Sequence, residues 1–229
     1  MELLHNGYTL ELSPGAFPLS TDSMVLADFV RLPKNAHVLD LGSGCGTLGM
    51  LLCAKDESCH VTGVEIDPNA HDTALKNAAA NNISHRLSSI CADVCTIPSL
   101  LPASRFSCCV SNPPYFSGGP QSTANPSARR ENLCCLEDLF RSAAWAVKYG
   151  GDFFLVHRPE RLAQICAVAD KYGFTPKRLR MVRHQEGSPV SLILLACRKG
   201  AKPGLIWEEL RLFDESGKPT KEYTSIYHL

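Results

Sequence analysis

The stretch Val38 to Gly46 constrains the fold of this chain more than any other. Val38-Leu39-Asp40-Leu41 is a short apolar run with strand character, and it passes directly into Gly42-Ser43-Gly44-Cys45-Gly46. Thr47 to Lys55 then carries helical spacing. A buried strand, a glycine-rich turn and a helix in that order bring backbone N–H groups to the end of a parallel sheet, where a ligand can meet them. At Gly42, Gly44 and Gly46 the missing Cβ atoms leave the approach to the turn open.

The rest of the chain continues the alternation. Gly7 to Leu12 is expected as a short lead-in strand. Ser20-Thr21-Asp22-Ser23 signals a helix start ahead of Met24, Val25, Leu26 and Phe29, and Pro33 closes that helix. Strands are expected at His60 to Glu65, Leu87 to Cys91, Phe106 to Ser111, Phe153 to His157, Leu179 to Arg183 and Leu192 to Cys197, the last two as an antiparallel hairpin. Helices are expected at Pro68 to Asn81, Leu136 to Val147 and Pro159 to Lys171. Strands alternating with helices give a doubly wound, Rossmann-like α/β fold with a mainly parallel seven-stranded sheet. No linker divides residues 1–229, so one domain is expected, with 1–35 as its lead-in and 199–229 as a short polar extension. The segment from Phe116 to Pro126 is rich in Gly, Ser and Pro, and its length favours a binding loop or lid.

Two acids accompany the glycine turn. Asp40, just before the first glycine, suits a cationic or amino-bearing ligand better than a pyrophosphate. Glu65 closes the second strand of the alternation, about twenty residues further on, where a carboxylate can accept ribose hydroxyls. Asp93 follows the third of these strands, where it can reach a ligand or cap a turn. Thr21 and Asp22 can cap their helix and face the same ligand.

The second chemical signal is Asn112-Pro113-Pro114-Tyr115 at the end of the apolar run Phe106 to Val110. The Asn side-chain oxygen and the Pro113 carbonyl are two acceptors suited to one planar amino group. Consecutive prolines fix φ and remove competing backbone donors. Tyr115 offers a flat face to a base or a cation.

Composition narrows the class. Lys plus Arg and Asp plus Glu both total 23, so the formal net charge is zero and any nucleic-acid contact must come from a local patch. The densest basic run is Lys177, Arg178, Arg180, Arg183 and His184, which reads equally as a solvated face. Eleven cysteines occur without CxxC spacing, which points to buried reduced thiols rather than a metal site. With no membrane-length apolar run and no signal-peptide pattern, the cytoplasm is expected.

These residues resemble the class I amino methyltransferases that use S-adenosylmethionine, whose catalytic motif is (D/N/S)PP(Y/F/W). Within that set the chain is similar to the bacterial tRNA(Val) adenine-N6 methyltransferases, which act on position 37. Leu19-Ser20-Thr21-Asp22-Ser23-Met24-Val25-Leu26-Ala27 resembles their TD-x-x-L-L leader, and Ala128-Arg129-Arg130-Glu131 their Ala-Arg-x-Glu. The resemblance implies cofactor contacts from Thr21, Asp22, Asp40, Gly42, Ser43, Gly44, Gly46, Glu65, Ile66, Asp93 and Asn112. It implies catalysis by Asn112, Pro113, Pro114 and Tyr115, and substrate contacts from Tyr115, Phe116, Arg129 and Arg130. It implies a tRNA substrate, with no metal, membrane or obligate protein partner.

Other readings stay open at this point. Glutamine-modifying relatives usually carry a helical domain before the glycine turn, and too few residues precede Gly42 here. A DNA adenine methyltransferase needs a target-recognition domain, and none is visible. Guanine-N2 RNA methyltransferases resemble a duplicated architecture absent from this chain. A non-catalytic S-adenosylmethionine-binding module would be free to lose the clamp, which is intact.

Overall fold

The computed structural model describes residues 2–4, 7–14, 19–115 and 136–227. A small antiparallel pair, β1 (Glu2–Leu3) and β2 (Thr9–Leu10), leads in. The alternating run follows: α1 (Thr21–Phe29), β3 (His37–Leu41), α2 (Thr47–Lys55), β4 (His60–Glu65), α3 (Pro68–Ala80), β5 (Leu87–Cys91), α4 (Ile97–Leu100) and β6 (Phe106–Ser111). Beyond the undescribed stretch come α5 (Leu136–Ala146), β7 (Val147–His157), α6 (Leu162–Lys171), β8 (Phe174–Arg183), β9 (Val190–Lys199), β10 (Ile206–Arg211) and α7 (Lys221–Tyr227).

The main sheet has eight strands in the order β10-β8-β9-β7-β6-β3-β4-β5. Only β9 runs against the others, pairing antiparallel with both β7 and β8. Seven strands were expected; the eighth is β10, which pairs parallel with β8 from Ile206 opposite Arg178 to Arg211 opposite Arg183. Residues 199–229, expected as a polar extension, therefore supply an edge strand and a helix.

The sheet is doubly wound because its central strands are apolar on both faces. In β7, Phe154 and Val156 join one core with α1 and α2, while Phe153 and Leu155 join the other with α5 and α6. Phe140, Phe153 and Phe174 meet edge to face at 4.9, 5.9 and 6.1 Å between ring centres, and each such buried ring contributes roughly 1.5–3 kcal/mol.

β7 starts six residues before the expected Phe153, because Val147 already pairs with Phe106 of β6; the register then shifts across Lys148 to Gly151 and resumes with Asp152 opposite Cys108. A Cβ on Gly151 would stand 2.5 Å from the Ser107 carbonyl, so the glycine permits a bulged strand start there. α5 accordingly ends at Ala146.

The basic run in β8 turns out to be structural. Arg178, 8 % exposed, makes a two-pronged ion pair with Glu208 of β10 at 2.9 and 3.1 Å and lies over the Phe29 ring. Arg180 reaches Glu208 at 3.0 Å and Asp28 at 2.7 Å, and Arg183 reaches Glu209 at 2.9 Å. These arginines hold α1, β8 and β10 together.

The lead-in is fastened by Asn77 of α3 and by Asn81, which caps the end of that helix. The Asn81 side chain exchanges two 2.8 Å hydrogen bonds with the Thr9 backbone. Asn77 accepts from Glu11 N–H at 2.9 Å and donates to the Glu11 and Cys45 carbonyls, each at 2.9 Å. The lead-in and the glycine turn thus share one buried amide.

Candidate active site

The carboxyl ends of β3, β4 and β6 and the first turn of α1 enclose a cavity of about 530 Å³. Asp22, Asp40, Gly42, Ser43, Gly44, Glu65, Ile66, Asp93, Asn112, Pro113, Pro114 and Tyr115 all line it. The glycine turn and the Asn-Pro-Pro-Tyr segment, 66 residues apart between Gly46 and Asn112, therefore face one space. That follows from topology, since β3 and β6 are adjacent parallel strands with Leu39 opposite Cys109.

Gly42 and Gly44 take left-handed backbone angles, φ +73° and +54°, and a Cβ on either would meet no protein atom within 4 Å. The turn is anchored by Gly42 and Ser43 N–H groups donating to the Val64 carbonyl at 2.9 and 3.1 Å. Gly63 of β4 makes room for this: a Cβ there would stand 2.5 Å from Ser43 Oγ. Gly46 has a different task. It caps α2 at φ +82°, packs on Ala74 and does not line the cavity.

Glu65 uses its two oxygens in two directions. Oε2 accepts from Gly44 N–H at 2.8 Å and Oε1 from Asp67 N–H at 2.9 Å. Each oxygen keeps acceptor capacity for a ligand hydroxyl. Asp40 lies beneath, 2 % exposed, with Oδ2 making no hydrogen bond. Burial, with the Glu65 charge added, raises its pKa from 3.8 to about 7, against a lowering hydrogen bond from the Gly49 backbone. Ser43 Oγ is likewise buried and unpartnered.

Asp93 lines the cavity and also caps the short turn Val94–Thr96, accepting from Cys95 N–H at 2.8 Å. The cap of α1 is Ser20, which is extended and accepts from Ser23 N–H. Thr21 and Asp22, expected as possible caps, are already helical. Asp22 faces the cavity, whereas Thr21 Oγ1 accepts from the Tyr227 hydroxyl at 3.1 Å.

The Asn112 amide is held from both sides. Its Nδ2 donates to Ser23 Oγ at 3.0 Å, and its Oδ1 accepts from the Tyr115 hydroxyl at 2.9 Å. Burial, chiefly, and the neighbouring Asp22 carboxylate push the Tyr115 phenol well above its ordinary value. The Tyr115 ring packs on His157, 5.3 Å between centres, and Arg158 lies over it with its guanidinium carbon 5.6 Å from the ring centre. His157 Nδ1 accepts from Arg158 N–H at 2.8 Å, and burial lowers the imidazole pKa from 6.5 to about 4.

Ser23, Gly63, His157 and Arg158 were not singled out from the sequence. Ser23 sits inside a segment that reads as a helix cap, Gly63 and His157 lie on strands outside either motif, and Arg158 follows directly on one of them. Phe116, Arg129 and Arg130, expected at the substrate, lie outside the described residues, as does the Ala128 to Glu131 motif. The cysteines among the described residues are free thiols, and no three His, Cys, Asp or Glu side chains among those residues gather as a metal site.

The residues present fit S-adenosylmethionine. One oxygen of a buried acid and a buried hydroxyl lack protein partners, two glycines leave their Cβ positions open, and a carboxylate at the end of β4 keeps free acceptor capacity. A cationic ligand with ribose hydroxyls satisfies these groups.

Comparisons with known proteins agree with this geometry. The chain is 26% identical over 212 residues to the tRNA1(Val) (adenine(37)-N6)-methyltransferase of Photobacterium profundum, covering 91% of this chain and 88% of that protein. It is 28% identical over 182 residues to the protein of the same name from Aliivibrio salmonicida, covering 78% and 76%. In fold it resembles the crystal structure of a predicted O-methyltransferase from Agrobacterium tumefaciens, with a TM-score of 0.77 and 23% identity over 91% of this chain and 96% of that one. The family model of the methyltransferase small domain matches residues 18–166, and the chain belongs to that family.

Proposed function

We propose that this enzyme methylates the N6 amino group of an adenosine in tRNA, at position 37 of tRNA(Val), in the cytoplasm. The observation that carries this reading is the fixed Asn112 amide, whose carbonyl opens on the same cavity as Asp40 and the glycine turn. The names of the curated relatives supply the nucleoside and the RNA.

When bound, S-adenosylmethionine supplies an electrophilic methyl group on a sulfonium centre. The chain's own residues supply orientation. An adenine amino group is a weak nucleophile because its lone pair is delocalised into the ring. Asn112 Oδ1 and the Pro113 carbonyl accept its two hydrogens and turn the lone pair out of conjugation. Ser23 and Tyr115 keep the amide from rotating, so the acceptor is set before substrate arrives. Pro113 and Pro114 keep that turn from relaxing. Tyr115 offers its ring to a base swung out of the anticodon loop. No strong base is needed, since the surplus proton leaves once the nitrogen is alkylated.

The test is transfer from tritiated S-adenosylmethionine to separate tRNA, DNA and protein pools, followed by nucleoside mass spectrometry. N6-methyladenosine in tRNA(Val) is expected. Label only in guanosine, DNA or a protein glutamine overturns the substrate reading.

A further inference from the structure

Among the described residues, Arg158 is a cation at the clamp with no carboxylate in ion-pair range. Arg158 follows directly on β7, whose Leu155 is paired with Ser111 of β6, so it emerges beside Asn112 to Tyr115. Its Nη1 donates to the Ser191 carbonyl at 3.1 Å and its guanidinium lies over the Tyr115 ring. Among the described residues no carboxylate pairs with it. Arg178, Arg180, Arg183, Arg198 and Arg211 on the same half of the sheet are each neutralised by a carboxylate within 4 Å.

We propose that Arg158 is a substrate-binding residue that grips the backbone phosphate of the nucleotide whose base enters the cavity. The inference rests on the nucleotide reading given above. When a base occupies the space beside Tyr115, the anionic part of that nucleotide stays at the mouth, where Arg158 stands exposed. One bond to Ser191 and contact with the ring hold the planar fork, and the remaining N–H groups, unpartnered among the described residues, can meet phosphate oxygens. The neutral imidazole of His157, held by the Arg158 backbone, adds no competing charge. The alternative is that Arg158 only covers Tyr115, which requires the side-chain stem and not the charge.

Arg158→Met keeps the stem and removes the charge; Arg158→Lys keeps the charge and loses the fork. Both variants and the wild type are assayed on an anticodon stem-loop RNA of tRNA(Val) across a salt series, with S-adenosylmethionine affinity measured separately by calorimetry. For Arg158→Met, KM for RNA should rise about tenfold or more, as for loss of a charge-assisted contact. Its log–log salt slope should flatten by about 0.7–0.9, one phosphate's worth. kcat should stay within about threefold and the cofactor affinity should be unchanged. Arg158→Lys should keep the wild-type slope with a smaller rise in KM. An Arg158→Met enzyme with wild-type KM and slope, or one losing kcat alone, overturns the phosphate role while the substrate reading stands. A wild type that methylates no RNA overturns both.

Discussion

The Tyr115 hydroxyl donates to Asn112 Oδ1 at 2.9 Å, so the residue proposed to stack on the target base is also the one that orients the Asn112 amide. A side-chain carbonyl has two acceptor positions. Tyr115 occupies one and leaves the other for an incoming amino hydrogen. Ser23 holds the opposite end of the amide. Orientation is thus built into the protein before any ligand binds.

Tyr115→Phe should separate these two tasks. The ring remains and the hydroxyl bond is lost, so kcat should fall about fivefold, in line with one hydrogen bond of roughly 1 kcal/mol. Asn112→Ala removes the acceptor itself and should lower kcat by two to three decades. Thermal stability and S-adenosylmethionine affinity should stay near wild type in both. Equal losses in the two variants, measured under saturating RNA, would show that the hydroxyl does more than orient.

Glu65→Ala should weaken S-adenosylmethionine binding by about 1–3 kcal/mol, the usual cost of stranding polar ligand groups. Because Glu65 also accepts from Gly44 and Asp67 N–H groups, Glu65→Gln should recover only part of the loss: its amide keeps one carbonyl for two donors. An unchanged dissociation constant by calorimetry for Glu65→Ala would remove Glu65 from the cofactor site.

The glycine turn, the acid at the end of β4 and the clamp were legible because each is a local pattern on a predictable element. What the sequence hid were relationships across strands. Ile206-Trp207-Glu208-Glu209-Leu210-Arg211 reads as a polar tail because its glutamates look solvated. Their partners, Arg178, Arg180 and Arg183, lie in β8 about thirty residues earlier. The same blindness left the β8 arginines open to reading as an RNA face. Arg158 had the reverse problem: nothing in Val156-His157-Arg158-Pro159 shows that β7 delivers it to the clamp.

Glu208→Ala tests the structural reading of the tail. Arg178 is nearly buried and shares Glu208 with Arg180, so removing the carboxylate leaves two guanidinium groups without their common counter-charge. Destabilisation should be about 3–5 kcal/mol, the range for breaking a buried pair by removing one member. Arg180 keeps Asp28, which moves the expectation to the lower end. A loss below about 0.5 kcal/mol by urea unfolding would mean the network is worth no more than a surface pair.

Asp40 makes the last prediction, a pH dependence with a definite sign. Its pKa in the folded chain is about 7 against 3.8 for the free side chain. A group whose pKa rises on folding contributes stability below its unfolded value and loses it as pH rises through the folded value. For Asp40 the window is pH 4 to 7, with a limit of about 4 kcal/mol for three pH units. Asp40→Asn removes the titration. The variant should therefore gain stability relative to wild type as pH rises from 5 to 8, both without ligand. S-adenosylmethionine reverses the sign locally, because a cationic ligand beside Asp40 favours the carboxylate. Binding near pH 7 should then release up to about half a proton, the fraction Asp40 holds at that pH, read as a dependence of the calorimetric enthalpy on the ionisation heat of the buffer. The release should vanish in Asp40→Asn. A wild-type enthalpy identical in phosphate and Tris buffers would mean that Asp40 keeps one protonation state through binding, and that its raised pKa is not linked to the cofactor.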